Sequence, residues 1–303
     1  MHFSYIILLM FSWFILIFAL LQGILEWLPV SSQGQSVSLL IALLGLDKKT
    51  AFQIALWLHL GTLLAVIVKY RKELLLYLNF KNKESEIVKW RKFLIFSTIG
   101  TIITGVPCFI LVYFLIKDNS IFGEYIMLVI GLALIITALF LFFSERKTKK
   151  LDQLENSKQE NSERNELNVK GKSVEELSIG YMTVSGLFQG FSIIPGISRS
   201  GITMSGLLFM GTKKEDAIKG SFLMSIPAVL GGFILDIGFT AIEGGTIFPV
   251  EWWILIITIV ITAVIGYLTI ELFLLIARTY NFSMICLILG IITIIFFIIR
   301  FIK

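Results

Sequence analysis

Residues 22–38 read Gln22-Gly-Ile-Leu-Glu26-Trp-Leu-Pro29-Val-Ser31-Ser32-Gln33-Gly34-Gln35-Ser36-Val-Ser38. The chain around them is apolar: of 303 residues, 56% are hydrophobic and 16% charged. A soluble domain carries about 25% charged residues. That balance excludes a cytosolic enzyme, a secreted disulfide scaffold and a disordered regulator, and leaves an all-α polytopic membrane protein. In such a protein the quoted stretch cannot face lipid as a plain helix. Irregular polar backbone at membrane depth must be buried in protein or reached by water. A helix–break–helix hairpin that enters and leaves on one side meets that condition, with the break at Pro29.

The stretch has a counterpart. Residues 185–205 contain Gln189, Ser192, Pro195, Gly196, Ser198, Arg199, Ser200, Gly201 and Thr203. An offset of 167 places Gln22 on Gln189, Gly23 on Gly190, Ser31 on Ser198, Gly34 on Gly201 and Ser38 on Ser205 without a gap. An offset of 166 places Gly45-Leu-Asp-Lys48-Lys-Thr-Ala51 on Gly211-Thr-Lys-Lys214-Glu-Asp-Ala217. Two neighbouring blocks at nearly one offset predict a duplicated architecture.

Outward from the two polar segments, the chain divides into apolar runs of about 20 residues, the length a spanning helix needs. Clean spans are expected at 51–69, 93–116, 122–143, 217–240, 252–276 and 283–302, with a further run at Tyr5 to Leu21. That first run lacks a basic start and a small-residue cleavage site, so it is not read as a cleaved leader. Residues 144–178 carry as many basic as acidic residues and no sustained apolar period, which predicts a solvated, flexible loop. The domains expected are a first repeat over 1–143, a cytoplasmic charged loop over 144–178, and a second, inverted repeat over 179–303.

Charge sets the orientation. Lys69, Arg71, Lys72, Lys81, Lys83, Lys89, Arg91 and Lys92 crowd one loop, and Arg146–Lys150 and Lys213, Lys214 and Lys219 form two more clusters. All three should be cytoplasmic, and the segments near 117–121 and 240–251 outside. This works only if each polar hairpin returns to its own side. The expectation is six spanning helices plus two reentrant hairpins in an inverted repeat, the two breaks meeting near the midplane. In transporters that arrangement marks the binding site.

The breaks carry the chemistry. Gln22 and Glu26 are four apart and share a helix face. Val30 to Gln35 offers hydroxyls, amides and flexible backbone N–H groups, which suit an anion where the turn opens a helix. Arg199 sits in a Ser/Gly turn, and its planar fork matches phosphate. The site expected is divided: Arg199 holds a phosphate, and Glu26 either holds a divalent cation or orients a nucleophile. Ionisable residues inside a membrane are functional candidates by default. Other residues read as structural: His59 hydrogen-bonded within the bundle, Asp236 and Glu271 interfacial, Trp252 and Trp253 an interfacial belt, Cys108 and Cys286 small core residues.

Gln22-Gly-Ile-Leu-Glu26-Trp-Leu-Pro29-Val-Ser31-Ser32-Gln-Gly34 resembles the first signature of the undecaprenyl-diphosphate phosphatase family, the bacitracin-resistance type. Pro195-Gly196-Ile-Ser198-Arg199-Ser200-Gly201-Ile-Thr203 is similar to the second, and Leu58-His59-Leu60-Gly61-Thr62-Leu63 looks like a further family block. The resemblance implies a cell-membrane hydrolase, its site facing outside, that converts polyprenyl diphosphate to the monophosphate plus phosphate and so recycles the lipid carrier of cell-wall glycans. It implies dependence on a divalent cation, Mg2+ or Ca2+, with Glu26 as the candidate ligand. It makes Glu26, Ser32 and Arg199 the catalytic candidates. Gln22, Ser31, Gln35, Gly196, Ser198, Ser200 and Thr203 are the candidates for binding substrate. The family usually carries Thr and His where this chain has Gln33 and Gln35, so a role for that His does not carry over. The partners expected are the lipid diphosphate, membrane lipids and a second copy of the chain, with no nucleic acid. The competing reading is a transporter or flippase of a phosphorylated polyprenyl lipid, which would release no phosphate.

Overall fold

The computed structural model describes residues 2–28, 30–117, 125–159, 172–276 and 282–302. Pro29, the expected break residue, lies outside them. Among the described residues there are eleven α-helices. They are α1 (His2–Leu25), α2 (Ser32–Leu44), α3 (Lys48–Lys69), α4 (Arg71–Leu78), α5 (Ser85–Lys117), α6 (Ile126–Gln159), α7 (Ile179–Gly190), α8 (Arg199–Phe209), α9 (Lys214–Ile242), α10 (Trp252–Ile276) and α11 (Phe282–Ile302). Short 3-10 turns at Val174–Glu176 and Phe191–Ile193 and one backbone bridge between Lys172 and Thr212 complete them. Helix dominates because it alone satisfies every backbone group within one segment in an apolar medium.

Among the described residues five segments are long and apolar enough to cross a membrane: Lys48–Lys69, Ser85–Ile116, Met127–Ser144, Lys214–Ile242 and Trp252–Phe273. Shorter apolar stretches lie in α1 at Phe14–Leu25 and in α11 at Ser283–Ile299. The chain is a multi-pass membrane protein. Its outward faces are correspondingly greasy, with Ile234, Leu268, Phe296 and Trp252 all exposed.

Both polar segments are helices interrupted by a turn, α1–α2 and α7–α8, and the turns are built alike. The Ser31 hydroxyl caps α2 by accepting from Gly34 N at 3.3 Å, and the Ser198 hydroxyl caps α8 by accepting from Gly201 N at 3.2 Å. Each cap fills one of the four unpaired N–H groups at a helix start. After both segments the chain turns through a left-handed glycine, Gly45 at φ +63° and Gly211 at φ +82°, and enters a long helix.

Packing crosses between the halves. α1 lies against α10, α7 against α5, α3 against α9, and α6 against α11. The α5–α7 crossing is backbone-close: a Cβ on Gly186 would stand 1.9 Å from Ser97 O, so only glycine fits. Small residues at such crossings are how membrane helices gain packing energy without a hydrophobic drive.

Two ends can be told apart. At one, Lys219 of α9 lies 4.7 Å from the Trp90 ring and 6.0 Å from the Tyr77 ring, and Lys69 pairs with Glu271. The 69–92 and 213–219 basic clusters therefore share an end. At the other, Lys49 pairs with Glu243 at 3.3 Å, and Tyr113 donates to the same carboxylate at 2.9 Å.

Two expectations change here. α6 runs on to Gln159, so the start of the expected loop is helical; the Lys, Arg, Glu, Gln and Leu residues that follow the apolar stretch in the sequence are good helix formers. Residues 160–171 lie outside the described set. Asp236 is not interfacial but 2% exposed: Gln53 Nε2 of α3 donates to it at 3.4 Å and to Thr240 Oγ1 at 3.1 Å. A partner 183 residues away gives that carboxylate its place in the bundle.

Candidate functional site

The two turns meet, and Glu26 is where they meet. It follows α1 directly and is 5% exposed. Its neighbour Trp27 is fully buried, stacks edge-on against Phe222 at 5.2 Å, and donates its indole N–H to Gly266 O at 3.1 Å and Thr269 Oγ1 at 3.0 Å. Burying an indole of about 150–250 Å2 with its one donor satisfied is a strong anchor. It holds the first break rigid against α9 and α10.

The carboxylate is fully occupied. Arg199 Nη2 donates to Oε1 at 2.5 Å. Gln22 Nε2 donates to Oε2 at 2.6 Å, and Ser32 Oγ donates to the same oxygen at 2.5 Å. His59 Nε2 stands 3.3 Å from it. The other ring nitrogen, Nδ1, lies 2.6 Å from Ala55 O. A carbonyl only accepts, so Nδ1 carries a proton and Nε2 is the nitrogen presented to Glu26. A buried charge is tolerable when paired and hydrogen-bonded, and this one has both.

Further bonds lock turn to turn. Ser200 Oγ donates to Leu28 O at 3.1 Å. A Cβ on Gly34 would meet Gly196 N at 2.8 Å, so the two backbones touch through glycine. Ser31 takes φ +56°, which no other non-glycine shows among the described residues. That conformation costs a side-chain-bearing residue about 1–2 kcal/mol, and such outliers cluster at working sites.

A small cavity of about 260 Å3 opens beside these groups. Glu26, Ser31, Ser32, Ser198, Arg199 and Ser200 line it, together with Gln33, His59 and Ser192. It adjoins an apolar groove of about 910 Å3 between α3, α5 and α9, walled by Leu56, Ile102, Val106, Phe109 and Leu235 among others. Gln33, His59, Ser192 and Arg199 line both. The arrangement can hold an anion against an arginine, a deprotonating carboxylate and a hydroxyl, with an apolar chain running out alongside.

Four expected binding residues are placed elsewhere. Gln22 holds Glu26 rather than the cavity. Thr203 is fully buried, bonding back to Arg199 O at 2.7 Å and across to Ser221 Oγ at 2.5 Å. It lies one turn beyond Arg199 on the same helix face, and Ser221 of α9 takes its hydroxyl. Gly196 packs on α6, where a Cβ would stand 2.5 Å from Ile130 O. Gln35, three residues after Ser32, does not line the cavity, and its buried Nε2 has no partner. Conversely, Gln33, His59 and Ser192 line the cavity without having been site candidates. The signal for His59 was its place in an otherwise apolar span; Gln33 and Ser192 differ little in type from their neighbours.

The residues around Glu26 do not fit a protein-held divalent cation. Among the described residues no three His, Cys, Asp or Glu side chains form a group that could hold one. Among the described residues Glu26 is the one carboxylate lining the cavity, and an arginine already occupies one of its oxygens. A hard cation wants several oxygen ligands. Glu26 as metal ligand is therefore set aside, and no chemistry is derived through a metal.

A polytopic helical membrane protein with a carboxylate–guanidinium site between two broken helices is the class so defined. The chain belongs to the bacitracin resistance protein BacA family, whose model matches residues 15–292. It is similar to the undecaprenyl-diphosphatase of Methanothrix thermoacetophila, 37% identical over 280 residues covering 92% of this chain and 94% of that one. The undecaprenyl-diphosphatases of Methanococcoides burtonii and Methanopyrus kandleri are 36% and 33% identical, each across 92% of this chain and 96% and 93% of theirs.

Proposed function

We propose that this chain is a polyprenyl-diphosphate phosphatase of the cell membrane, hydrolysing undecaprenyl or a related polyprenyl diphosphate to the monophosphate and phosphate. One observation carries it: Ser32 and Arg199, from opposite breaks, bond to the two oxygens of one buried carboxylate, in a polar cavity continuous with an apolar groove. Membership of the family and the relatives' activity support the same reading over a lipid transporter.

Phosphoryl transfer needs positioning and charge neutralisation above all. The isoprenoid lies in the groove and the diphosphate in the cavity. Arg199 turns from Glu26 to the phosphate oxygens, which it can grip with its fork. Glu26, released from one cation, takes the proton of Ser32, and Ser32 Oγ attacks the terminal phosphorus. The lipid monophosphate leaves; its second pKa is about 6, so it needs little acid help. Water then attacks the phosphoserine phosphorus, its oxygen and hydrogens leaving on the inorganic phosphate, while the bond to Ser32 Oγ breaks and Glu26 returns the proton to that oxygen. Ser31, Ser198 and Ser200 line the anion's surroundings.

The two halves act as inverted repeats with their hairpins reentrant and the site open to the outside. The matched caps, the cross-packing of halves and the shared end of two basic clusters support that arrangement. The test of function is direct. Purified protein given a polyprenyl diphosphate should release phosphate, and Arg199→Ala should not. Movement of intact lipid between leaflets with no phosphate released would overturn the reading.

A further inference from the structure

We infer that Gln33 grips the phosphate that stays on the lipid. The inference rests on the phosphatase reading and goes further, giving the diphosphate a direction and a second point of recognition.

Gln33 is the second residue of α2, directly after Ser32. It is 9% exposed, and its Nε2 is buried with no hydrogen-bond partner. An amide donor left unmade inside a protein costs about 1–3 kcal/mol, and such groups in a native structure call for an explanation. Gln22, the other amide beside the carboxylate, spends its Nε2 on Glu26. Gln33 does not, so its donor capacity is free for a ligand.

Its location says which ligand oxygen. Gln33 lines both the polar cavity and the apolar groove. Ser32, the attacking hydroxyl, lines the polar cavity and not the groove. A lipid diphosphate with its terminal phosphorus at Ser32 and its chain in the groove has its inner phosphate at the junction. Arg199 lines that junction as well and supplies charge there. Gln33 supplies a neutral donor to the phosphate that is common to substrate and product.

This makes a distinctive kinetic prediction. A contact with the retained phosphate is made equally in substrate, transition state and product. Its loss weakens binding throughout and leaves the chemical step alone. Gln33→Leu should raise KM for the polyprenyl diphosphate and the inhibition constant for the polyprenyl monophosphate together, each about tenfold, as for a hydrogen bond to a charged group. The turnover number and the inhibition constant for inorganic phosphate should stay within about twofold of wild type. Gln33→Glu keeps the size of the side chain but presents an anion to the phosphate, so it should raise both constants further than Gln33→Leu. If Gln33→Leu does not yield folded protein, the isosteric Gln33→Glu decides alone. Unchanged KM and monophosphate inhibition in a folded Gln33→Glu variant would overturn the inference, as would a fall in turnover with KM unmoved. Neither result touches the parent reading, which fails only if the wild-type protein releases no phosphate.

Discussion

The two helix breaks share a scaffold and differ in content. Ser31 and Ser198 cap their helices through the same bond to a glycine three residues on. The next position inside the helix is Ser32 in one half and Arg199 in the other. Those two side chains reach the two oxygens of a single carboxylate. The position equivalent to Glu26 in the second half is Ile193. Gln22 holds that carboxylate, while its equivalent, Gln189, is spent on Thr101 Oγ1 and Met224 O, both at 3.0 Å. The two turns are built alike, and at one matching position the first carries a hydroxyl and the second a guanidinium.

The largest test of that division is Arg199→Ala. It removes the clamp and leaves Glu26 as a buried, half-paired charge, which costs about 3–5 kcal/mol. Phosphate release should fall below detection and thermal stability in detergent should drop as well. Ser32→Ala, at the equivalent position, should also stop turnover but with little loss of stability, because Glu26 keeps Arg199 and Gln22. A Ser32→Ala protein that retains more than about a tenth of wild-type activity would give the attack to water instead. Glu26→Gln should lower turnover by about 10^2–10^4-fold, the range for a lost general base.

The shared scaffold predicts smaller, matched effects. Ser31→Ala and Ser198→Ala each remove one cap and should each cost about 1 kcal/mol of stability, read from paired melting curves. A large difference between them would mean that the turns are not equivalent supports. Smallest of all, Thr203→Val should leave KM within about threefold of wild type, since its hydroxyl serves Arg199 O and Ser221 rather than the cavity. A KM increase above tenfold would return Thr203 to the binding site.

Much of this was legible in the chain. Long apolar runs announce helices because lipid leaves no alternative. Glu26 and Arg199 stand out because charge in such runs is expensive. The offset between the two segments pairs Ser31 with Ser198, and the structure shows that both are caps. What sequence could not supply was partnership. Thr203 lies one turn from Arg199 on the same helix face, yet it meets Ser221 while Arg199 meets Glu26. Asp236 reads as interfacial until Gln53, far away in the chain, is seen to hold it. Helix α6 outlasts its apolar stretch because charged residues with good helix propensity continue it. Gln33 lies between Ser32 and Gly34 in plain view, and what marks it out is an unpartnered amide together with a place on the wall of both the cavity and the groove.

The cross-packing of the halves has a consequence for how the protein is made. α1 rests on α10 and α7 on α5, so neither half can finish its own hairpin. Glu26 leaves the ribosome 173 residues before Arg199. At about 5–20 residues per second, the carboxylate waits roughly ten to thirty-five seconds for its cation. During that interval the first hairpin has no α10 to rest on and no guanidinium to bond. The first half is therefore complete only when α10 and Arg199 have arrived. The arrival of the second half settles it, first with Arg199 for the carboxylate and then with α10 for α1.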